Sequence, residues 1–334
     1  MPDPLADFGA GWLYEAGLGE DRAVLVDDAG DIIRAEIDVH TPGLKGGAVI
    51  KARLRERRMA EHASGEEIYI EGAPPRFPLG AELMVRVTRS ALPEFGKPKR
   101  AKGVVVSPDT PTTDAPSLLD RLNVMPHPIR KVSVHELDAL EQAGWSELLD
   151  QAQSGIMPHQ DAVLRVSLTP AMTLIDVDGD RDASELLILS AQAIPLLVAR
   201  FGLAGSIGVD FPTIGDKAAR AKAQELVNAG LSKPFEATAI NGFGFMQIII
   251  PRTRASIMEL AQHDRAGFAA RALIRQAQRS GLIGKTRLTA HPSVIALIDA
   301  NEDWTATLAA QLGGAVALQA DASLAISAGD VSAS

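Results

Sequence analysis

At 334 residues, 46% hydrophobic and 22% charged, the chain has a globular composition and is long enough for two or three domains, each with its own core. It has no cysteine, which excludes disulfides and thiolate zinc sites, and it shows neither a secretion-type start nor an apolar run approaching the ~20 residues of a membrane span; no membrane partner is expected, and a cytoplasmic location is the default. The net charge of −9 argues against nucleic-acid binding over the whole surface but leaves room for a local basic channel.

In chain order, residues 22–26 and 32–39 read as two strands joined by Asp28-Ala29-Gly30-Asp31, which is turn chemistry and predicts a hairpin. Residues 49–54, 67–71 and 82–88 continue the β pattern, punctuated by Pro74, Pro75 and Pro78, so that 20–107 fits a small or reduced barrel. This stretch holds most of the basic charge. Lys51, Arg53, Arg55, Arg57 and Arg58 follow Lys45, and Lys97, Lys99, Arg100 and Lys102 form a second cluster, whereas no Lys or Arg follows Arg287. The first run reads equally as a phosphate grip or as a charged strand edge that discourages aggregation. Tyr69, Phe77 and Phe95 are candidates for base stacking; with aromatics at 4% of the chain, they are expected in the core.

Residues 107–117, with three prolines and almost no apolar side chains, read as a linker. A helix is expected over 133–153, with Ser133 and Glu136 as a capping box and Gly144 interrupting. The second half alternates strand and helix. Strands are predicted at 162–168 and 171–176, and a helix over 183–201 starts from Asp182, with Pro195 expected to kink or split it. A strand then ends at Asp210, followed by a helix over 214–228 closed by Gly230 and strands at 235–240 and 244–250. A long helical stretch from 254 carries Arg271, Arg275 and Arg279 at i, i+4 on one face and ends at Gly281. The tail reads strand, helix 292–300, helix 302–312, strand 315–320. The segments divide as 1–107, a β-rich region; 108–155, linker and helix; 156–265, an α/β core; and 266–334, the long helix and a small C-terminal domain.

The most informative feature is the pair of hydrophobic runs Leu174-Ile175-Asp176-Val177-Asp178 and Ile207-Gly208-Val209-Asp210-Phe211. The connection between them is long enough for a parallel crossover, which brings both aspartates to one sheet edge. Strands about 4.8 Å apart would let Asp176 and Asp210 share a hard cation such as Mg²⁺. The bland alternative is that both simply close strands. An EF-hand reading of Asp176-Val177-Asp178-Gly179-Asp180 fails, because Arg181 and Leu187 stand where Gly and Glu are needed. A phosphate-loop reading of Gly281–Thr286 fails because Arg279 takes the place of the first glycine. The seven histidines show no ligand spacing.

Together with Phe243-Gly244-Phe245-Met246-Gln247-Ile248 and Arg252-Thr253-Arg254, these runs resemble the ribonuclease E/G family of bacterial endoribonucleases, in the family's order and spacing. The resemblance implies an α+β multidomain protein: a reduced S1/OB-like barrel, a central α/β nuclease core with RNase H/DNase I-like layers, and a small α/β C-terminal domain. It implies a Mg²⁺-dependent endoribonuclease acting on single-stranded RNA and leaving 5′-phosphate and 3′-hydroxyl ends. Asp176 and Asp210 would be the metal ligands, and Asp178 would assist. Arg252 and Arg254 would steady phosphates, and Lys51, Arg53, Arg55, Lys99 and Arg100 would guide the strand. The chain departs from the family at Asp178, where Asn is usual, and at Gln247, where Glu is usual. The cysteines of the family's zinc-linked dimer and its 5′-sensing segment have no counterpart, leaving self-association to the C-terminal domain. The alternatives are an RNA-binding protein with a degenerate site, and a carboxylate–metal enzyme acting on a nucleotide or sugar-nucleotide.

Overall fold

The structure is a computed structural model that describes residues 8–72, 76–94 and 96–334, so Pro74, Pro75 and Phe95 lie outside the described residues. Among the described residues the fold is mixed α/β, with three open sheets and one closed five-stranded barrel. The chain divides into two compact units, each discontinuous in sequence: Met1–Thr41, Leu122–Gln153 and Leu260–Ser334 form one, Pro42–Arg121 and Ser154–Glu259 the other.

In the first unit, the hairpin of Glu20–Val26 and Ile32–Val39 is present, with Asp27 Oδ1 accepting from the Ala29 and Asp31 N–H groups at the turn. It does not join the barrel. Its inner strand pairs instead with Gly11–Ala16, which pairs in parallel with Ile129–Lys131. The expected helix over 133–153 is two helices, Ala139–Gln142 and Trp145–Ser154. Glu136 does accept from the Ser133 N–H at 2.7 Å, but Asp138 caps the first helix and Gly144, at φ +95°, breaks the run. The C-terminal part packs Arg265–Arg279, Pro292–Asp299 and Glu302–Leu312 around a sheet of Val316–Ala320, Thr286–Ala290 and Gly329–Ala333.

Of the arginines at i, i+4, Arg271 and Arg275 are buried and Arg279 half-buried, rather than solvated. Glu15, fully buried, accepts from Arg22 Nη1 at 2.9 Å, Arg275 Nε at 2.7 Å and Arg279 Nε at 2.8 Å. Glu20 bridges Arg22 and Arg271, while Asp264 and Asp138 take the outer donors of Arg271 and Arg275. Four acids thus meet four guanidinium groups, which is how so many charges are tolerated away from water.

In the second unit, Val49–Glu56, Met59–His62, Glu67–Ile70, Ala101–Val105 and Glu82–Arg89 close the barrel in that order around Leu54, Ile68, Ile70 and Val85. Tyr69 and Phe77 are not in that core: Tyr69 is half-buried on the outside with Arg58 over its ring, and Phe77 is exposed. Alternation decides this for Tyr69, because its neighbours Ile68 and Ile70 take the inward positions.

The other part of this unit is a six-stranded sheet in the order Ile156–His159, Ala162–Leu168, Thr173–Gly179, Gly205–Asp210, Phe245–Ile250, Glu236–Ala237. One face is buried through Leu164, Ile175, Val177, Ile207, Val209, Met246 and Ile248. Helix Ala183–Phe201 packs on this sheet, and helix Lys217–Gly230 packs on that helix. By length and composition Ala183–Phe201 does match a membrane span, with a mean hydropathy of 1.4 over 18 residues, contrary to the sequence expectation; 56% of that stretch is buried inside the protein. The helix also runs unsplit through Pro195. Pro195 packs against Gly230, where a Cβ would sit 2.7 Å from the ring, so Gly230 is the last helical residue and a close-contact point rather than a cap.

Removing one partner from a buried charge network leaves the others unpaired. Glu15→Ala should cost about 3–5 kcal/mol, read as a lower denaturation midpoint. Burial pushes the Glu15 carboxyl up, but Arg275, Arg22 and Arg279 outweigh it and hold it below the ordinary value of 4.5. A carboxylate with a lowered folded pKa contributes stability above its unfolded pKa and loses it as pH falls through the folded one. Urea denaturation at a series of pH values should therefore show stability declining below about 4.5, less steeply in Glu15→Gln.

Candidate metal centre on the open sheet face

The strand Thr173–Gly179 alternates, with Ile175 and Val177 inward and Leu174, Asp176 and Asp178 exposed on the other face. It runs past Asp176, which is the last residue paired in parallel with Gly205–Asp210. In that register Asp176 lies directly beside Asp210, and side-by-side residues in parallel strands share a face. Among the described residues, neither side chain takes a hydrogen bond or an ion pair.

Asp178, two residues on, is different. Arg165, the cross-strand neighbour of Asp176 on the antiparallel side, donates from Nε to Asp178 Oδ2 at 2.5 Å. Among the described residues no three His, Asp or Glu side chains gather as a metal cluster. Asp176 and Asp210 are two carboxylates, and Mg²⁺ is a cation that binds through one or two carboxylates and keeps several waters.

Gln247 shares this face but turns away, donating from Nε2 to Ser206 Oγ at 3.0 Å. Arg252 and Arg254 are not brought to the aspartates. A Cβ on Gly205 would lie 3.5 Å from Arg252 Cδ, and Gly205 starts the strand that Asp210 ends, roughly 17 Å away at about 3.3 Å per residue. Arg252 Nη2 is paired with Glu259, whose other oxygen accepts from the Ser256 N–H and Oγ in a capping box. Burial, with Arg89 adding to it and Glu94 opposing, lowers the Arg252 guanidinium to about 10. Arg254 is half-buried and has partners within the protein.

The barrel's basic residues are interleaved with acids. Lys51 pairs with Glu82 at 3.3 Å, Arg55 with Glu61 at 2.9 Å, Lys99 with Glu94 at 2.8 Å and Arg100 with Glu67 at 2.5 Å, while Arg53 lies across from both Glu61 and Glu82. Lys99 also donates to the Pro170 carbonyl at 3.0 Å, and the Ser90 N–H donates to the Thr253 carbonyl at 3.0 Å. These contacts lie at the edge where the two aspartate strands begin, opposite Asp176 and Asp210. Beside the barrel a recess of 680 Å³ is lined by Lys45, Lys51, His62, Thr113 and Asp114 among others.

The sequence patterns assign no role to Arg165, nor to Phe243 and Phe245 beyond their place in the Phe243–Ile248 run. Arg165 was within reach: counting outward from the turn at Thr169–Met172 sets Leu168 against Thr173 and therefore Arg165 against Asp176. Arg252→Met should lower stability by about 1–3 kcal/mol, through loss of a partly buried charged partner of Glu259. It should leave divalent-cation affinity at Asp176 and Asp210 unchanged, as read by denaturation and metal titration.

No protein-family model matches the chain, and no curated protein matches it.

Proposed function

We propose that this protein is a metal-dependent endoribonuclease of the ribonuclease E/G type, hydrolysing phosphodiester bonds in single-stranded RNA. The observation that carries the reading is the pair Asp176 and Asp210, side by side, exposed and, among the described residues, without protein partners on the open face of a sheet. Two carboxylates left unneutralised next to each other repel, and a divalent cation relieves this. Mg²⁺ held there would supply charge neutralisation at the phosphoryl group. Arg165, on the same face, sets a guanidinium beside the pair, and such a group binds phosphate oxygens in bidentate fashion. Its bond to Asp178 holds it in place, so Asp178 acts as a positioning residue.

The rest of the second unit agrees with this reading. A sheet with one face covered by a helix and the other bearing the carboxylates suits a nuclease core of the DNase I-like kind. The closed five-stranded barrel is compatible with an S1/OB-type module, and modules of this kind bind single strands on an outer face with aromatic and basic side chains. Arg58, Tyr69 and Lys102 form such a group, with Tyr69 directly across from Lys102. The surface ion pairs of Lys51, Arg55 and Arg100 are individually weak and open to exchange for phosphate.

Binding without cleavage is the second reading. It is favoured by Gln247 turned from the aspartates and by Arg252 held at the far edge.

End-labelled, AU-rich single-stranded RNA incubated with the protein and Mg²⁺ decides between them. Cuts that vanish with EDTA and fall at least 100-fold in Asp176→Asn and Asp210→Asn are expected, with folding intact. Cleavage that survives both changes would overturn the metal centre; RNA that is bound but uncut, with a salt-dependent affinity, would establish the second reading.

A further inference from the structure

An exposed apolar side chain standing alone is unremarkable. Phe243 is 82% exposed, but its placement sets it apart. It sits at the tip of the hairpin that leads into Phe245–Ile250, at the end of the sheet where Asp210 lies. Its backbone is pinned on both sides: Asn241 Oδ1 accepts from the Phe243 N–H at 2.9 Å and the Phe245 N–H at 3.1 Å, and Thr213 Oγ1 donates to the Phe243 carbonyl at 2.9 Å. Gly244, at φ +91°, allows the closure, and any Cβ there would collide with the Phe211 carbonyl oxygen. The chain therefore holds a large apolar ring in water on a fixed support.

A second ring lies close by. Phe245 is the cross-strand partner of Asp210 and shares its face. Its ring lies over Gly208, where a Cβ would stand 2.7 Å from Phe245 Cζ and 3.1 Å from Leu174 Cδ2. Glycine at 208 leaves the gap that lets the ring lie along the open face toward Leu174, starting from the strand position beside Asp210. Phe245 thus lies beside Asp210, and Phe243 stands two residues before it at the hairpin tip, in a chain with only nine phenylalanines.

We propose that Phe243 and Phe245 form a stacking platform for the nucleobase that flanks the phosphodiester bond held at Asp176 and Asp210. This rests on the nuclease reading and deepens it by naming what grips the RNA at the scissile point. The flat face of a base covers apolar ring surface without needing hydrogen-bond partners, so the platform holds a strand in place with little preference for its sequence. It also accounts for positioning near the metal centre without Arg252, Arg254 or the barrel's lysines, which lie elsewhere.

The test uses the full chain and two RNAs that share one mapped cut, one intact and one with a single abasic nucleotide beside it. On intact RNA, Phe243→Ala should raise KM on the order of tenfold, with kcat changed less, and Phe243→Trp should restore it. Gly208→Ala, which displaces Phe245, should act in the same direction. Wild type on the abasic RNA should lose as much as Phe243→Ala does on intact RNA, and the two losses should not add. Equal kinetics for wild type and Phe243→Ala on intact RNA, or additive losses, would remove the platform and leave the nuclease standing. A wild-type protein that cuts no RNA would remove the nuclease reading and the platform with it.

Discussion

The parallel pairing of Thr173–Gly179 with Gly205–Asp210 is the constraint on which the candidate site depends. Side chains alternate with a period of two, so a slip of one residue in this pairing would send either aspartate to the buried face. The register is fixed from below. Ile175, Val177, Ile207 and Val209 must all lie on the buried face of the sheet, and once they do, Asp176 and Asp210 have no choice but the open face. The same pairing sets Gly208 beside Leu174 and makes room for the Phe245 ring. The connection that permits it, helix Ala183–Phe201, is apolar because it covers the sheet, and the match of Pro195 to Gly230 adds the next helix to it.

The two units are held by different means. The barrel and the six-stranded sheet have ordinary apolar interiors, with charge pairs on the outside where each is worth little. The first unit instead carries Glu15, Glu20, Arg22, Arg271 and Arg275 in its interior, with Arg279 half-buried beside them. Such a network is a poor source of net stability compared with apolar packing, yet it is costly to break and admits few alternative pairings. It joins strands near the start of the chain to a helix some 250 residues later, since Arg271 donates to Glu20 across a separation of 251.

Much of this was legible in the sequence, and the exceptions have physical causes. The aspartate runs, the hairpin turn at Asp28–Asp31 and the cap at Asp182 are local patterns, and local patterns survive folding. The stripe Arg271, Arg275, Arg279 was visible as a face, but its burial was not, because its partners come from Glu15, Glu20 and Asp138, far away in the chain. Pro195 reads as a breaker on propensity alone; tertiary packing against Gly230 overrides it. The motif Arg252-Thr253-Arg254 follows the sheet's last long strand, so its place was fixed by the antiparallel direction of that strand, which carries it to the edge opposite Asp210. Sequence proximity to a motif block gave no hint of that direction.

The most direct measurement is of the cation itself. Mn²⁺, which shares the oxygen-ligand preference of Mg²⁺, can be titrated into the protein and its binding followed by electron paramagnetic resonance. We expect one saturable site, competed by Mg²⁺, that is lost in Asp176→Asn and in Asp210→Asn and retained in Asp178→Asn. Equal binding in wild type and both single variants would contradict a centre built from Asp176 and Asp210.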